Sequence, residues 1–161
     1  MRVRLQRWVD VEASAPVVWD YVTDWPRQQE WVPLTRVERV DAAADIGGRF
    51  RAWTGLGRVG FWDPMTITAW ERDSDGGGRC EVLHLGTVVK GEGEFVVVAR
   101  GPRASRFVWG EVIDVPLGAA GAAGWRLARP LVERMLDRGL ERMRALVEEQ
   151  AKISTRSRER S

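Results

Sequence analysis

Residues 118–150 read GAAGAAGWRLARPLVERMLDRGLERMRALVEEQ, and this stretch decides the fold. At about 100° per residue, its apolar side chains from Val132 to Val147 fall on one helical face and most of its charged side chains fall on the opposite face. A helix with one wide apolar face needs a large apolar surface to pack against. The preceding chain alternates in the manner of strands, so we expect that surface to be a sheet.

The chain before this helix predicts one strand, two short helices and six further strands. Arg2 to Glu12 alternates as a half-buried strand. Ser14 and Pro16 indicate the start of a short helix, and residues 26–31 predict a second one. Short turns of the kind that join antiparallel neighbours separate the later strands, so the fold class is α+β with an antiparallel sheet. These strands are expected near residues 35–42, 49–54, 61–71, 79–85, 90–100 and 105–115.

The C-terminal helix carries internal signals of its own. Glycines at three positions between residues 118 and 124 weaken its start, since each costs about 1 kcal/mol in a helix interior. Pro130 predicts a kink, or a short helix to about Ala128 followed by the main one. Residues 118–129 could then form an adjustable lid. Gly139 lies on the apolar face, which leaves either close backbone packing or room for a ligand.

Length and charge indicate one domain over residues 1–150. The chain has 161 residues, of which 44% are apolar and 30% are charged, as is ordinary for a globular protein. The net charge is only +2, and the excess is concentrated in residues 151–161, which predict a basic, disordered tail. A solvated end is more probable for this tail than a nucleic-acid or membrane-surface arm. The folded part shows no broad basic surface, so no nucleic-acid partner is expected.

The sequence predicts a cytoplasmic protein without stable membrane insertion. No apolar run approaches the roughly 18 residues of a membrane span, and Met1 leads directly into a strand pattern, without a signal peptide. Abundant arginine and the absence of asparagine are typical of a GC-rich bacterial genome. Cys80 is the only cysteine and His84 the only histidine, which supply too few strong ligands for zinc. We expect no metal and no cofactor.

The order of elements agrees with three local sequences, at 84–95 (HLGTVVKGEGEF), 107–111 (FVWGE) and 116–118 (PLG). Together they resemble the SRPBCC superfamily, which includes birch-pollen-allergen-like proteins, START-type lipid-transfer domains, coenzyme Q-binding proteins and polyketide cyclases. The resemblance covers residues 1–150. It implies a helix-grip fold, in which a seven-stranded antiparallel curved sheet surrounds a long C-terminal helix and leaves an apolar cavity between them.

The chain has nine tryptophans, too many for all of them to be solvent-exposed, so several should line a core or a cavity. In the implied fold, the short helices and hairpin turns stand at the cavity mouth, where tryptophan suits planar or lipid-like ligands. A dense core without a cavity is the alternative. The ligand-binding candidates are Trp25, Trp31, Trp53, Phe61, Met65, His84, Phe107, Trp109, Glu111, Leu131, Met135 and Gly139.

His84 and Glu111 are the candidate acid–base residues. His84 could transfer a proton or bind a ligand near neutral pH, although a lone histidine is more often structural. Glu111 shares a strand face with Phe107 and Trp109. If this face points inward, burial would raise the pKa of Glu111 and make it an acid, a base or a ligand anchor. If it points outward, Glu111 is solvated and the alternate residues form the core.

Other motifs have ordinary structural explanations. The G-x-G-x-x-G string at 55–60 precedes a strand and not a helix, so we interpret it as a hairpin turn. Cys80 is interpreted as a buried thiol, four residues from His84 on one strand. Lys90, Glu92 and Glu94 predict a solvated charge ladder. One further set, Arg49 and Arg51, either faces solvent or binds an anionic head group.

Three functions are compatible with these features. The first is binding of a small hydrophobic molecule, such as a lipid, polyketide or isoprenoid-like compound, by a monomer or homodimer. The second is an enzyme of the cyclase, aromatase or dehydratase type that uses His84 or Glu111 for acid–base chemistry and holds its substrate in a reactive conformation. The third is a protein-interaction module, for which exposed tryptophans would form one patch.

Overall fold

The computed structural model describes residues 1–158 and contains seven strands and four helical segments in that range. Its order of elements confirms the predicted α+β helix-grip fold. The strands are β1 (Arg2–Val11), β2 (Thr35–Arg39), β3 (Arg49–Leu56), β4 (Val59–Arg72), β5 (Gly78–His84), β6 (Gly91–Gly101) and β7 (Ala104–Asp114). The helices are α1 (Ala15–Val22), a 3₁₀ turn (Trp25–Arg27), α2 (Gln28–Trp31) and α3 (Gly118–Arg158).

All seven strands form one antiparallel sheet in the order β1-β7-β6-β5-β4-β3-β2. The first strand pairs with the last, and every other neighbour in the sheet is also a neighbour in the chain. The G-x-G-x-x-G string forms the β3–β4 hairpin, as predicted, with Gly57 at a φ of 61° in its turn. Irregularities between Ile67 and Ala69 and between Ala99 and Gly101 increase the local twist, which helps the sheet to curl.

The lower half of α3 fills one end of the curled sheet. Leu136, Leu140, Met143 and Val147 are all buried within the core. Against them lies an aromatic cluster in which the Trp31 and Phe107 rings meet edge to face, with centroids 6.0 Å apart. The helix is thus gripped tightly over its last turns before residue 150.

Arg7 is the one charged side chain on the otherwise apolar face of β1, and it reaches the helix. Its guanidinium lies 3.1 Å from Glu133 and 3.3 Å from Asp137. This pairing explains how β1 can carry an arginine on the face that it turns towards α3. It also fixes the middle of α3 over the first strand.

The structure corrects two expectations for α3. The helix continues across Pro130 instead of dividing near Ala128. Pro130 is exposed, so solvent can bond the carbonyl that the missing N–H leaves free. The helix also includes residues 151–158, which were expected to be disordered; Ala151 packs on the core, and Ser154 and Thr155 donate to carbonyls four residues back. Residues 159–161 of the expected tail lie outside the described residues.

Across residues 1–158, no helix is both long and apolar enough to cross a bilayer.

Candidate functional site

A cavity of about 590 Å³ lies between the inner face of the sheet and the upper half of α3. Its volume is in the range that accommodates drug-sized ligands. Most of the wall is apolar, and Trp25 stacks on Phe50 at one side with ring centroids 4.3 Å apart. The remaining apolar lining includes Val32, Ala52, Phe61, Met65, Val82, Phe95, Trp109, Ile113, Trp125, Val132, Met135 and Leu136.

The α3 residues that line the cavity are Trp125, Ala128, Val132, Met135 and Leu136. Residues 118–124 are all glycine or alanine, whereas the gripped half presents leucine, methionine and valine to the sheet. The cavity therefore ends where Leu136 and the residues after it pack into the solid core.

Three ionisable side chains, Asp63, His84 and Glu111, meet on the cavity wall, and we call them the acid–base cluster. His84 Nδ1 lies 2.7 Å from Asp63 Oδ2, and His84 Nε2 lies 3.3 Å from Glu111 Oε2. The indole N–H of Trp109 donates to Glu111 Oε1 at 2.7 Å. All three members are at least 86% buried, so the cluster is a polar spot in an apolar surface.

The strand register brings the cluster together. His84 pairs with Met65, two residues from Asp63 on the same face of β4. On the other side, Gly93 of β6 stands directly between Val82 and Glu111. A Cβ at position 93 would lie 3.3 Å from His84 Nε2 and 3.5 Å from Glu111 Oε1. The missing side chain at Gly93 therefore leaves room for the imidazole and the carboxyl to approach each other.

His84 is held in its charged form. Burial lowers the pKa of its imidazole, but the hydrogen bond to Asp63 and the attraction of Glu111 outweigh that effect and raise the pKa from 6.5 to about 10. At neutral pH both ring nitrogens therefore carry protons. One N–H is directed to Asp63, and the other faces Glu111.

Two polar atoms of the cluster have no hydrogen-bond partner among residues 1–158. They are His84 Nε2, whose 3.3 Å contact with Glu111 is an ion pair without hydrogen-bond alignment, and Asp63 Oδ1. A buried polar atom without a partner is costly, and a ligand that supplies one gains from it. Both atoms are buried, so a ligand group that comes to lie against them would accept a hydrogen bond from Nε2 and donate one to Oδ1.

The cluster is not arranged to bind a metal ion. Each imidazole nitrogen faces a carboxyl oxygen, so the nitrogen lone pair that a metal would need is used by a proton. Within residues 1–158, no group of three His, Cys, Asp or Glu side chains could hold a metal. The arrangement favours proton transfer and hydrogen bonding instead.

Seven of the twelve predicted ligand-binding residues lie on the cavity wall, and Glu111 faces inward, as its neighbours on β7 suggested. These seven are Trp25, Phe61, Met65, His84, Trp109, Glu111 and Met135. Asp63 was missed by the sequence analysis, although it lies between Phe61 and Met65. Strict alternation along β4 places all three on one face, and this was the signal that could have found it.

The structure places the other five candidates away from the cavity. Trp31 and Phe107 are fully buried in the aromatic core, and Leu131 is 73% exposed on the outer side of α3. Trp53 packs against Trp62, with ring centroids 5.6 Å apart. Gly139 faces Trp109 and the Trp31 backbone, so its missing side chain permits close packing and does not make room for a ligand.

The remaining charged and thiol groups have local explanations. Arg49 pairs with Asp41 at 2.9 Å, and Arg51 pairs with Glu38 at 2.8 Å, so both are already bound to carboxylates outside the cavity. Cys80 does line the cavity, but burial raises the pKa of its thiol to about 12. It therefore stays protonated and unreactive at neutral pH.

Comparison with protein families gives one match, to the family described as "Polyketide cyclase / dehydrase and lipid transport", over residues 2–148. The chain belongs to this family, which confirms the resemblance to the SRPBCC superfamily. A comparison with curated proteins finds no match.

Solved structures with the same fold include enzymes and a START protein. The ZhuI aromatase/cyclase of Streptomyces sp. R1128 matches with a TM-score of 0.74 at 15% identity, over 94% of this chain and 96% of that one. Norcoclaurine synthase of Thalictrum flavum matches at 0.66 and 13%, over 94% and 97%. A START superfamily protein of Mycobacterium smegmatis matches at 0.63 and 17%, over 92% and 97%. At such identities the similarity establishes the fold alone.

The raised pKa of His84 predicts a specific pH dependence of stability. Because the folded pKa of about 10 exceeds the ordinary 6.5, the stabilisation is complete below pH 6.5 and is lost as the pH rises towards 10. Between pH 6.5 and 9 the free energy of unfolding should fall by up to about 1.4 kcal/mol per pH unit from this group. Urea unfolding of the wild type and His84→Gln at several pH values measures it. A difference between the two proteins that does not change across this window would contradict the assignment.

Proposed function

We propose that this member of the polyketide cyclase, dehydrase and lipid transport family binds a small, mainly apolar molecule in the cavity and holds an oxygen substituent of that molecule at the acid–base cluster. The observation that carries the proposal is the pair of buried, unpartnered polar atoms, His84 Nε2 and Asp63 Oδ1, in two side chains that line an apolar cavity. The family description includes both cyclisation chemistry and lipid transport, and both require such a cavity.

The shape and lining of the cavity support an apolar ligand body. Aromatic side chains line it from the short helices, β6, β7 and α3, including Trp25, Phe95, Trp109 and Trp125. Flat aromatic walls favour planar or ring-containing molecules. The volume of about 590 Å³ suits a compound of a few fused rings or a folded chain.

The acid–base cluster supports a ligand with at least one hydroxyl or carbonyl group. A hydroxyl could donate to Asp63 Oδ1, and a carbonyl oxygen could accept from His84 Nε2. Hydrogen bonds to charged groups in a buried site are worth about 1.5–3 kcal/mol, which is a discrimination of roughly tenfold or more. An unsubstituted hydrocarbon would leave both atoms unpaired, so the site should favour oxygenated ligands.

This preference can be measured with two matched probes, 2,6-dihydroxyanthraquinone, whose hydroxyls are too far from the carbonyls to bond to them, and anthraquinone. We expect Asp63→Asn to weaken binding of the dihydroxy compound about tenfold and to change binding of anthraquinone less than about twofold. Val132→Trp, which places a large ring at the α3 wall, should weaken both. Glu92→Gln on the outer face is the matched control. Quenching of tryptophan fluorescence gives the dissociation constants, and an equal loss of both ligands in Asp63→Asn would contradict the proposal.

Acid–base catalysis is a second candidate, and the geometry of the same cluster favours it. A protonated imidazole between two carboxyls can act as a general acid, giving a proton to a ketone oxygen or a departing hydroxyl, while a carboxylate removes a proton from the carbon between two carbonyls. Cyclisation and dehydration need these two transfers on a substrate that is held folded. The raised pKa of His84 fits it for the role of acid and not of base.

Hydrogen–deuterium exchange of benzoylacetone, a 1,3-diketone, tests this chemistry without knowledge of the substrate. The protein should accelerate exchange at the carbon between the carbonyls, and His84→Gln should lower the acceleration by about a hundredfold. The rate should stay level from pH 6 to 8.5, because His84 remains protonated throughout. A rate that follows a group with a pKa near 6.5, or one unchanged in His84→Gln, would exclude His84 as the acid.

A further inference from the structure

Large apolar side chains are exposed at one end of the molecule. The start of β4, the end of β5, the start of β6 and the end of β7 lie at the same end of the sheet. The register shows this, because Met65 pairs with His84, His84 with Gly91 and Gly91 with Ile113. Three connections project from this end of the sheet: the β3–β4 hairpin, the β5–β6 loop and the β7–α3 link. The exposed apolar residues there, which we call the mouth rim, are Leu56, Val59, Leu85, Val88, Leu117 and Leu127.

The cavity reaches the surface at this same end. Val88, Pro116 and Ala128 line the cavity and are also exposed, so they stand where cavity and solvent meet. Val88 belongs to the mouth rim and is 62% exposed. Val88 therefore stands at an opening, and the other members of the mouth rim lie on segments that project from the same end of the sheet.

The charge at this end is complementary to an anionic surface. Arg58, at the tip of the hairpin between Leu56 and Val59, has no carboxylate within ion-pair distance among residues 1–158, and the same holds for Lys90 and Arg126. In contrast, two carboxylates at the same end of the sheet face the Arg2 guanidinium. Its nitrogens lie 2.8 Å from an oxygen of Glu92 and 4.0 Å from an oxygen of Asp114. The cations there are thus free, and these two acids are engaged.

We propose that the mouth rim docks on a lipid bilayer that contains anionic headgroups. The leucines and valines enter the interfacial region, while Arg58, Lys90 and Arg126 contact lipid phosphates. The ligand then passes between the bilayer and the cavity without crossing water. This transfer rests on the proposed function, in which the cavity binds an apolar ligand. A bilayer is the favoured partner because a protein seated on the mouth rim would cover the opening, whereas a bilayer is itself a source of apolar ligands.

Sedimentation with vesicles tests the docking surface. We expect the full chain to bind phosphatidylcholine vesicles that contain about 30% phosphatidylglycerol, and to bind pure phosphatidylcholine much less. The pair Leu56→Glu and Val59→Glu should reduce the partition coefficient at least tenfold, and Arg58→Ala about fivefold. The matched control is the double variant Val40→Glu with Ile46→Glu. Both residues are exposed and apolar, and both lie in the β2–β3 connection at the opposite end of the sheet from the mouth rim. This control should bind vesicles like the wild type.

Binding of 2,6-dihydroxyanthraquinone to the same variants separates this proposal from the proposed function. Leu56 and Val59 do not line the cavity, so the mouth-rim pair should keep wild-type affinity for the probe, which also shows that it is folded. A wild type that binds the probe but not anionic vesicles would overturn the docking surface alone. Equal loss in the control pair would overturn it too. A third outcome would also overturn the proposal. If the wild type forms a dimer and does not bind vesicles, and if the Leu56→Glu and Val59→Glu variant is monomeric, then the mouth rim joins two copies of the chain.

Discussion

The structure depends on how much of the inner face of the sheet one helix can cover. Seven antiparallel strands curl into a surface that α3 crosses along its length. Where α3 presents Leu136, Leu140 and Met143, the space is filled and the core is solid. Over the stretch from Trp125 to Leu136, a space remains between α3 and the sheet, and side chains of this stretch line the cavity. One helix therefore closes the solid half of the fold and lines the hollow half.

The acid–base cluster gives the hollow half its chemistry. A charged imidazole is stable in an apolar cavity only when opposite charges lie beside it, and Asp63 and Glu111 supply them. Their positions follow from the register of four neighbouring strands, and Gly93 leaves the room that the contact needs. The cluster and the mouth rim lie towards the same end of the sheet, so the polar group, the cavity and its opening form one continuous route.

Alternation and helical periodicity were sufficient to predict the α+β class and a sheet packed on α3, because each strand buries one face and α3 buries one stripe; the helix-grip architecture came from the family resemblance. In the structure His84 and Glu111 line the cavity, each on a strand face that it shares with apolar neighbours. Contacts between strands were beyond such patterns: Asp63 meets His84 through a register that no single strand encodes. The same limit explains why Trp53 and Gly139 were predicted at the cavity but lie away from it. The position of Trp53 depends on which side of β3 faces the inside of the sheet. The role of Gly139 depends on how closely Trp31 and Trp109 approach the helix.

The central claim is that His84 is a protonated imidazole held between two carboxyls in the cavity. Because His84 is the only histidine in the chain, selective ¹⁵N labelling of histidine gives the signals of one side chain. Nuclear magnetic resonance at pH 8 should show both ring nitrogens carrying protons, with titration only as the pH approaches about 10. A neutral ring at pH 8, or titration near the ordinary pKa of 6.5, would contradict the account.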